Sequence, residues 1–374
     1  MTKKQARFYY KKTKNTLFSF KRPVFFVFRP LIAKHRRRYY FHLILCYSKK
    51  NRVPLYFKNN IVLSYNMINR ALIRIKTLQI LFACGQNKDQ SLKAIENELL
   101  HSLQKSYDLY YYFLLLIVDI TRIKQQKTDI ARNKYLPTEE DLNPAIKLDE
   151  NKFARQLTQN KTLRKYVEDQ KISWNNDLNI VRHLLNAILE SDIYKTYLES
   201  DNNSYNADRE FWRATFKNTI CTDEELDAQL EEMCIYWNDD LEIIETFVLK
   251  TIKRFEEKNG EKQELLPMFK SDDDRDFAIE LLRASLSKEE EYKEMINAHL
   301  KNWDMDRIAD VDLLLLRMAI AEILTFPTIP ISVTMNEYIE IAKAYSTPKS
   351  ATFINGILDA LVRKLKSEKK LLKS

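Results

Sequence analysis

Glycine is almost missing from this chain: three residues, Gly85, Gly260 and Gly356, in 374. Tight β-turns and glycine-rich phosphate cradles both need residues that tolerate positive φ, so hairpin-rich folds and nucleotide-binding loops are excluded. Four cysteines (46, 84, 221 and 234) show no CxxC and no paired spacing, which suggests neither a disulfide framework nor a zinc site. Five histidines (35, 42, 101, 183 and 299) are scattered. No GxSxG, HExxH or P-loop is present, so no catalytic residue, resident metal or cofactor is expected and the chain does not read as an enzyme. The apolar runs "PVFFVF" and "FHLILCY" fall well short of the roughly 18 residues a membrane span needs.

Acidic residues are missing from one end only. Residues 1–66 contain 17 Lys+Arg and no Asp or Glu, which leaves 61 − 17 = 44 basic against 52 acidic residues in the remainder. The segment "KHRRRYYFHLILCYSKK" alternates cations with aromatics, as an RNA-binding arm or a targeting presequence would. The other reading, and the expected one, is that Met67 begins the working protein. With no signal peptide at Met67, a cytoplasmic location is expected.

What is there is helical. With 45% hydrophobic and 30% charged residues the chain has material for a core, and its class is all-α. In "NRALIRIKTLQILFACGQ", Ile68, Leu72, Ile75, Leu78 and Leu81 recur at helical spacing, Arg70, Arg74 and Lys76 take other angles, and Gly85 sits where a C-cap is expected. A second apolar helix follows over about Leu103–Ile120, within an N-terminal region of 67–131. The polar, proline-bearing stretch near 132–150 reads as a linker.

Residues 151–265 form a charged helical region with an internal echo: "ISWNNDLNIVRHLLNAIL" begins at Ile172 and "IYWNDDLEIIETFVLKTI" at Ile235. A repeated two-helix unit and a chance likeness between amphipathic helices both remain open. From 274 to 374 the chain is more apolar and reads as four helices. The last of them is capped by Ser346 or Thr347, with Phe353, Ile354, Ile357, Leu358 and Leu361 on its buried stripe. Gly356 beside that stripe costs about 1 kcal/mol relative to Ala in a helix interior, so close approach of a neighbouring backbone is expected there.

Three segments in order, "DRIADVDLLLLRMAIAEIL", "IPISVTMNEYIEIAKAYS" and "ATFINGILDAL", strongly resemble the NusB transcription antitermination factors. "NRALIRIKTLQILF" is similar to the family's Arg-rich first helix. The likeness covers 67–84 and about 274–365, and the long intervening segment is similar to the insertion of Bacteroidetes-type members. It implies a NusB-like pair of helical bundles with an inserted helical region. It also implies grip on boxA-like single-stranded RNA, with ribosomal protein NusE, in a transcription elongation complex.

By that resemblance Arg70, Arg74 and Lys76 would contact phosphates, Phe82 and Phe353 would offer aromatic faces, and Lys349 would join them at the RNA side. Asp312, Asn336 and Glu337 would form the NusE side. Lys349 departs from the family pattern, standing where an acid is frequent. Two rivals stay open. One is a helical protein–protein scaffold without RNA grip; the other is the accessory domain of an RNA cytosine methyltransferase, for which the chain shows neither a glycine-bearing sheet domain nor catalytic cysteines.

Overall fold

A computed structural model of the protein describes residues 67–85, 90–300 and 304–371. The basic extension over 1–66 lies outside the described residues. Those that are described are helices, tight turns and loops, with no strand among them. Helix α1 (Arg70–Gly85) opens with the Asn69 side chain accepting the N–H of Leu72 at 2.9 Å. Gly85 is its exposed last residue and does not adopt the left-handed conformation expected of a glycine cap, since Gly260 is the one described glycine with positive φ.

The second helix is far longer than the apolar run alone suggests. α2 (Leu92–Arg132) has 41 residues, about 60 Å at 1.5 Å per residue, and starts at Ser91, whose hydroxyl accepts from the N–H of Ala94. Its charged outer turns hide the helical period from a search for apolar stripes, but they carry the axis on both sides of Leu103–Ile120. A four-residue helix, α3 (Glu139–Leu142), closed by a capping box from Thr138 to Asp141, breaks the polar stretch after it.

The inserted region is helical and lies along α2. It contains α4 (Lys152–Gln159), α5 (Lys161–Gln170), α6 (Leu178–Glu190), α7 (Asp192–Glu199), α8 (Tyr205–Thr215), α9 (Glu224–Met233) and α10 (Leu241–Arg254). α4, α5, α6 and α10 all pack on α2, and the described residues fall in a single compact unit, so this region is not set apart from the rest.

The echoed tryptophans explain part of that packing. The Trp174 indole N–H donates to the carbonyl of Tyr112 at 3.0 Å, and the Trp237 indole donates to the carbonyl of Lys105 at 2.7 Å. Those carbonyls stand seven residues apart on α2, two turns along one face. Both indole rings also meet Tyr112 edge-on, at 5.5 and 5.1 Å. In each copy the Trp carbonyl accepts the N–H of the aspartate three residues on, Asp177 or Asp240, just before the helix starts. The echo is therefore a repeated way of docking a helix start onto α2.

The C-terminal part holds five helices where four are read from sequence: α11 (Asp272–Ser287), α12 (Glu289–Asn297), α13 (Asp310–Thr325), α14 (Ile331–Tyr345) and α15 (Ser350–Ser367). α13 is central, packed against α1, α11, α12, α14 and α15. A helix enclosed this way has no solvent stripe, which is why "LLLLRMAIAEIL" is apolar on nearly every side. α15 begins at Ser350, later than the Ser346 or Thr347 cap expected from sequence, because both serines are drawn onto Asp312 instead.

Gly356 corrects a second expectation. It is exposed on α15, and a Cβ placed there would meet nothing within 4 Å. No neighbouring backbone comes close, so the glycine leaves open space rather than making room. Gly356→Ala should therefore stabilise the protein by about 0.4–1 kcal/mol through reduced freedom of the unfolded chain. Thermal unfolding checks this; a lower midpoint for the variant would mean the site is occupied.

Candidate nucleic-acid interface

The cations of α1 divide into one at the surface and two inside. Arg70, at the first turn, keeps 39% of its side chain exposed. It rests on the ring of Phe277 at 4.9 Å and pairs with Asp274 at 3.5 Å. That geometry holds an arginine in place while leaving donors open to a further acceptor.

Arg74 is 2% exposed. Its Nε and Nη2 donate to the two carboxylate oxygens of Glu322, each at 2.7 Å, and Nη1 donates to Glu337 at 3.3 Å. Glu322 also accepts from the Thr334 hydroxyl at 2.8 Å and the Tyr338 hydroxyl at 3.1 Å. Burial alone lowers the pKa of a guanidinium, but Glu322, with Tyr338 and Glu337 behind it, carries that of Arg74 upward. Burial pushes the Glu337 carboxyl up, against the opposing pull of Arg74.

Lys76 is fully buried on a different face. Two residues of helix turn the side chain by about 200°, so it points away from Arg74. Its ammonium donates to the carbonyl of Tyr236 at 2.7 Å and pairs with Asp240 at 2.8 Å; the Ser106 hydroxyl donates to the same aspartate at 2.5 Å. Burial raises the pKa of Asp240, opposed by Lys76 and Ser106.

These positions correct the expectation that Arg74 and Lys76 meet RNA phosphates: both are enclosed, with carboxylates already in place. Asp312 and Glu337 are likewise buried, which runs against their reading as surface contacts for a partner. Asp312 accepts the hydroxyls of Ser346 at 2.5 Å and Ser350 at 2.7 Å, fastening the start of α13 to the turn before α15. Asn336 and Lys349 are exposed, while Phe82 and Phe353 are half-buried against the core.

The predicted residues do not gather at one point. Arg70, Arg74 and Glu337 line one hollow of about 370 Å³ with Pro330 and Val333. Phe82 lines another, of about 600 Å³, with Leu313 and Arg317. Arg70 and Phe82 are twelve residues apart on α1, about 18 Å along its axis. Sequence reasoning missed Glu322, Thr334 and Tyr338 as the partners of Arg74. The signal was there: one acid in the apolar run of α13 has to be paired.

Lys76→Ala should cost about 3–5 kcal/mol, because it strands Asp240 without its cation. The loss is greatest at neutral pH and shrinks as pH falls, since Asp240, raised by burial and in the variant freed from the opposing pull of Lys76, takes up a proton in the folded variant more readily than in the parent. Urea unfolding of both proteins at several pH values checks it; a constant or vanishing difference would contradict the pairing.

The NusB family profile matches residues 241–363, so α10 falls within the family-matched part, upstream of the 274 boundary read from sequence. A transcription antitermination protein NusB of Salinibacter ruber is 41% identical over 133 residues, which is 34% of this chain and 83% of the relative. The NusB of Koribacter versatilis is 44% identical over 96 residues, covering 26% and 66%. That of Bacillus pumilus is 35% identical over 121 residues, covering 32% and 92%. No solved structure matches. No described helix is long and apolar enough to cross a membrane. With identity at this level spread over most of a relative's length, and an all-helical fold whose family-matched helices surround α13, the chain belongs to the NusB family.

Proposed function

We propose that this protein acts in transcription antitermination, gripping boxA-type single-stranded RNA of nascent ribosomal transcripts together with ribosomal protein NusE. The observation that carries the reading is its membership of a family whose similar members are named for antitermination. The geometry supports a narrower set of RNA contacts than the cationic first helix suggests. Arg70 offers a half-exposed guanidinium stacked on Phe277, and Lys349 an exposed ammonium at the start of α15. Phe353, one turn further on, adds a half-buried ring. Phosphate contacts from the first two and base stacking on the third form a coherent division of labour. On the NusE side, exposed Asn336 is the residue left to contact a partner, while Asp312 and Glu337 are buried.

Removing a phosphate contact changes the salt dependence as well as the affinity. Arg70→Ala and Lys349→Ala should each weaken binding to a boxA-like single strand and flatten the slope of log affinity against log salt by about 0.7, the value for one single-strand phosphate. Circular dichroism should be unchanged. Wild-type affinity that barely responds to salt would instead favour a protein–protein scaffold.

A further inference from the structure

A second cationic centre lies far along the chain from α1. Arg209 on α8, Lys253 and Arg254 in the last turn of α10, and Lys262 at the end of the turn Glu257–Lys262 line one hollow of about 480 Å³. Cations are favoured at a helix C-terminus by its dipole, which accounts for Lys253 and Arg254. It does not account for Arg209 and Lys262, which arrive from two other elements. Glu256 and Glu264 also border the hollow, but Glu256 is engaged by Lys258 at 2.8 Å. Four cations and two carboxylates line the hollow, and Arg209 also pairs with Glu210 at 3.5 Å, so the lining keeps a net positive charge that an anion would relieve.

The site is built rather than draped. The Gln156 amide donates to the carbonyls of Glu256 at 3.0 Å and Gly260 at 2.9 Å, fixing the turn from below. Gly260 has φ +48°, a conformation that side-chain-bearing residues resist. Gln263 accepts from the N–H of Glu256 and from Asn259, and Asn160 holds the Gln263 carbonyl at 2.7 Å. Arg209 is anchored by donating to the carbonyl of Phe255 at 2.9 Å, and its buried Nε has no hydrogen-bond partner. Burial, and then Arg254, lowers the pKa of nearby Lys250, as expected where cations crowd.

We propose that this hollow between α8, the end of α10 and the Glu257–Lys262 turn binds a phosphate group, with Arg209 and Lys262 closing on it opposite Lys253 and Arg254. The phosphate can belong to an RNA backbone or to a small phosphorylated ligand; the chemistry that recognises it is the same. The site does not depend on the antitermination reading.

The test uses the full-length protein and the Nε–H resonance of Arg209, titrated first with inorganic phosphate and then with a twelve-nucleotide single-stranded RNA. Lys253→Glu/Lys262→Glu alters two exposed side chains, and Lys93→Glu/Lys366→Glu is the charge-matched control on exposed positions elsewhere. Inorganic phosphate should shift the Arg209 signal saturably, with affinity at least tenfold lower in the first variant and unchanged in the control. If RNA shifts the same signal and loses tenfold in affinity only in the first variant, the occupant is the RNA backbone. If RNA affinity is alike in both variants while phosphate still shifts Arg209, the occupant is a small phosphorylated ligand. No saturable shift with either probe, or an equal loss of phosphate affinity in the control, would overturn the site.

Discussion

The buried pair of Arg74 with Glu322 is the interaction on which the arrangement of the family-matched helices rests. Taking two charges out of water is expensive, and attraction repays it only when geometry is good and the remaining donors and acceptors are filled. Here they are filled: Glu322 accepts two bonds from Arg74, one from Thr334 and one from Tyr338, and Arg74 also reaches Glu337. Three helices, α1, α13 and α14, meet at one guanidinium. Lys76 with Asp240 does the same on a different face of α1, tying it to the start of α10. With a charge pinned on two sides, α1 has one rotational setting, and Arg70 is the cation that setting leaves at the surface.

That division matters for function. A helix rich in cations looks like a phosphate-binding face, yet two of three cations here hold the bundle together. Family membership supports RNA recognition, and the chemistry for it has to come from residues the buried pairs position. The insertion extends the fold without competing for this core. It docks on α2 by the same device, an indole N–H given to a helix carbonyl, that the family-matched helix α10 uses. Residues 172–188 therefore reuse the docking geometry that precedes α10, and the cationic hollow forms apart from them, between α8, the end of α10 and the Glu257–Lys262 turn.

Much of the fold was legible because it is written in period and punctuation. Scarce glycine argued against hairpin-rich folds, and the spacing of Ile68, Leu72, Ile75 and Leu78 placed α1. The echo of Trp174 and Trp237 marked two related helix starts. What was not legible depends on contacts between residues distant in sequence. Arg74 meets Glu322 across 248 residues, and nothing local distinguishes a cation that will be buried from one that will face solvent. Asp312 looked like a surface acid because its two serine donors lie 34 and 38 residues away. Gly356 looked like a packing device because an interior helical glycine usually is one; open space beside it can be seen only once α15 is in place. α2 was read too short, since charged residues at both ends obscured a helix that its neighbours hold.

The central claim is that Arg74 is structural, and a double-mutant cycle between Arg74 and Glu322 tests it most directly. Arg74→Met, Glu322→Leu and the double variant are compared with the parent by urea unfolding. Each single change should cost about 3–5 kcal/mol by stranding the opposite charge, and the double variant should recover much of that loss, giving a coupling above about 2 kcal/mol. Additive losses, or an Arg74→Met protein as stable as the parent that has lost RNA binding, would contradict it and return Arg74 to the recognition surface.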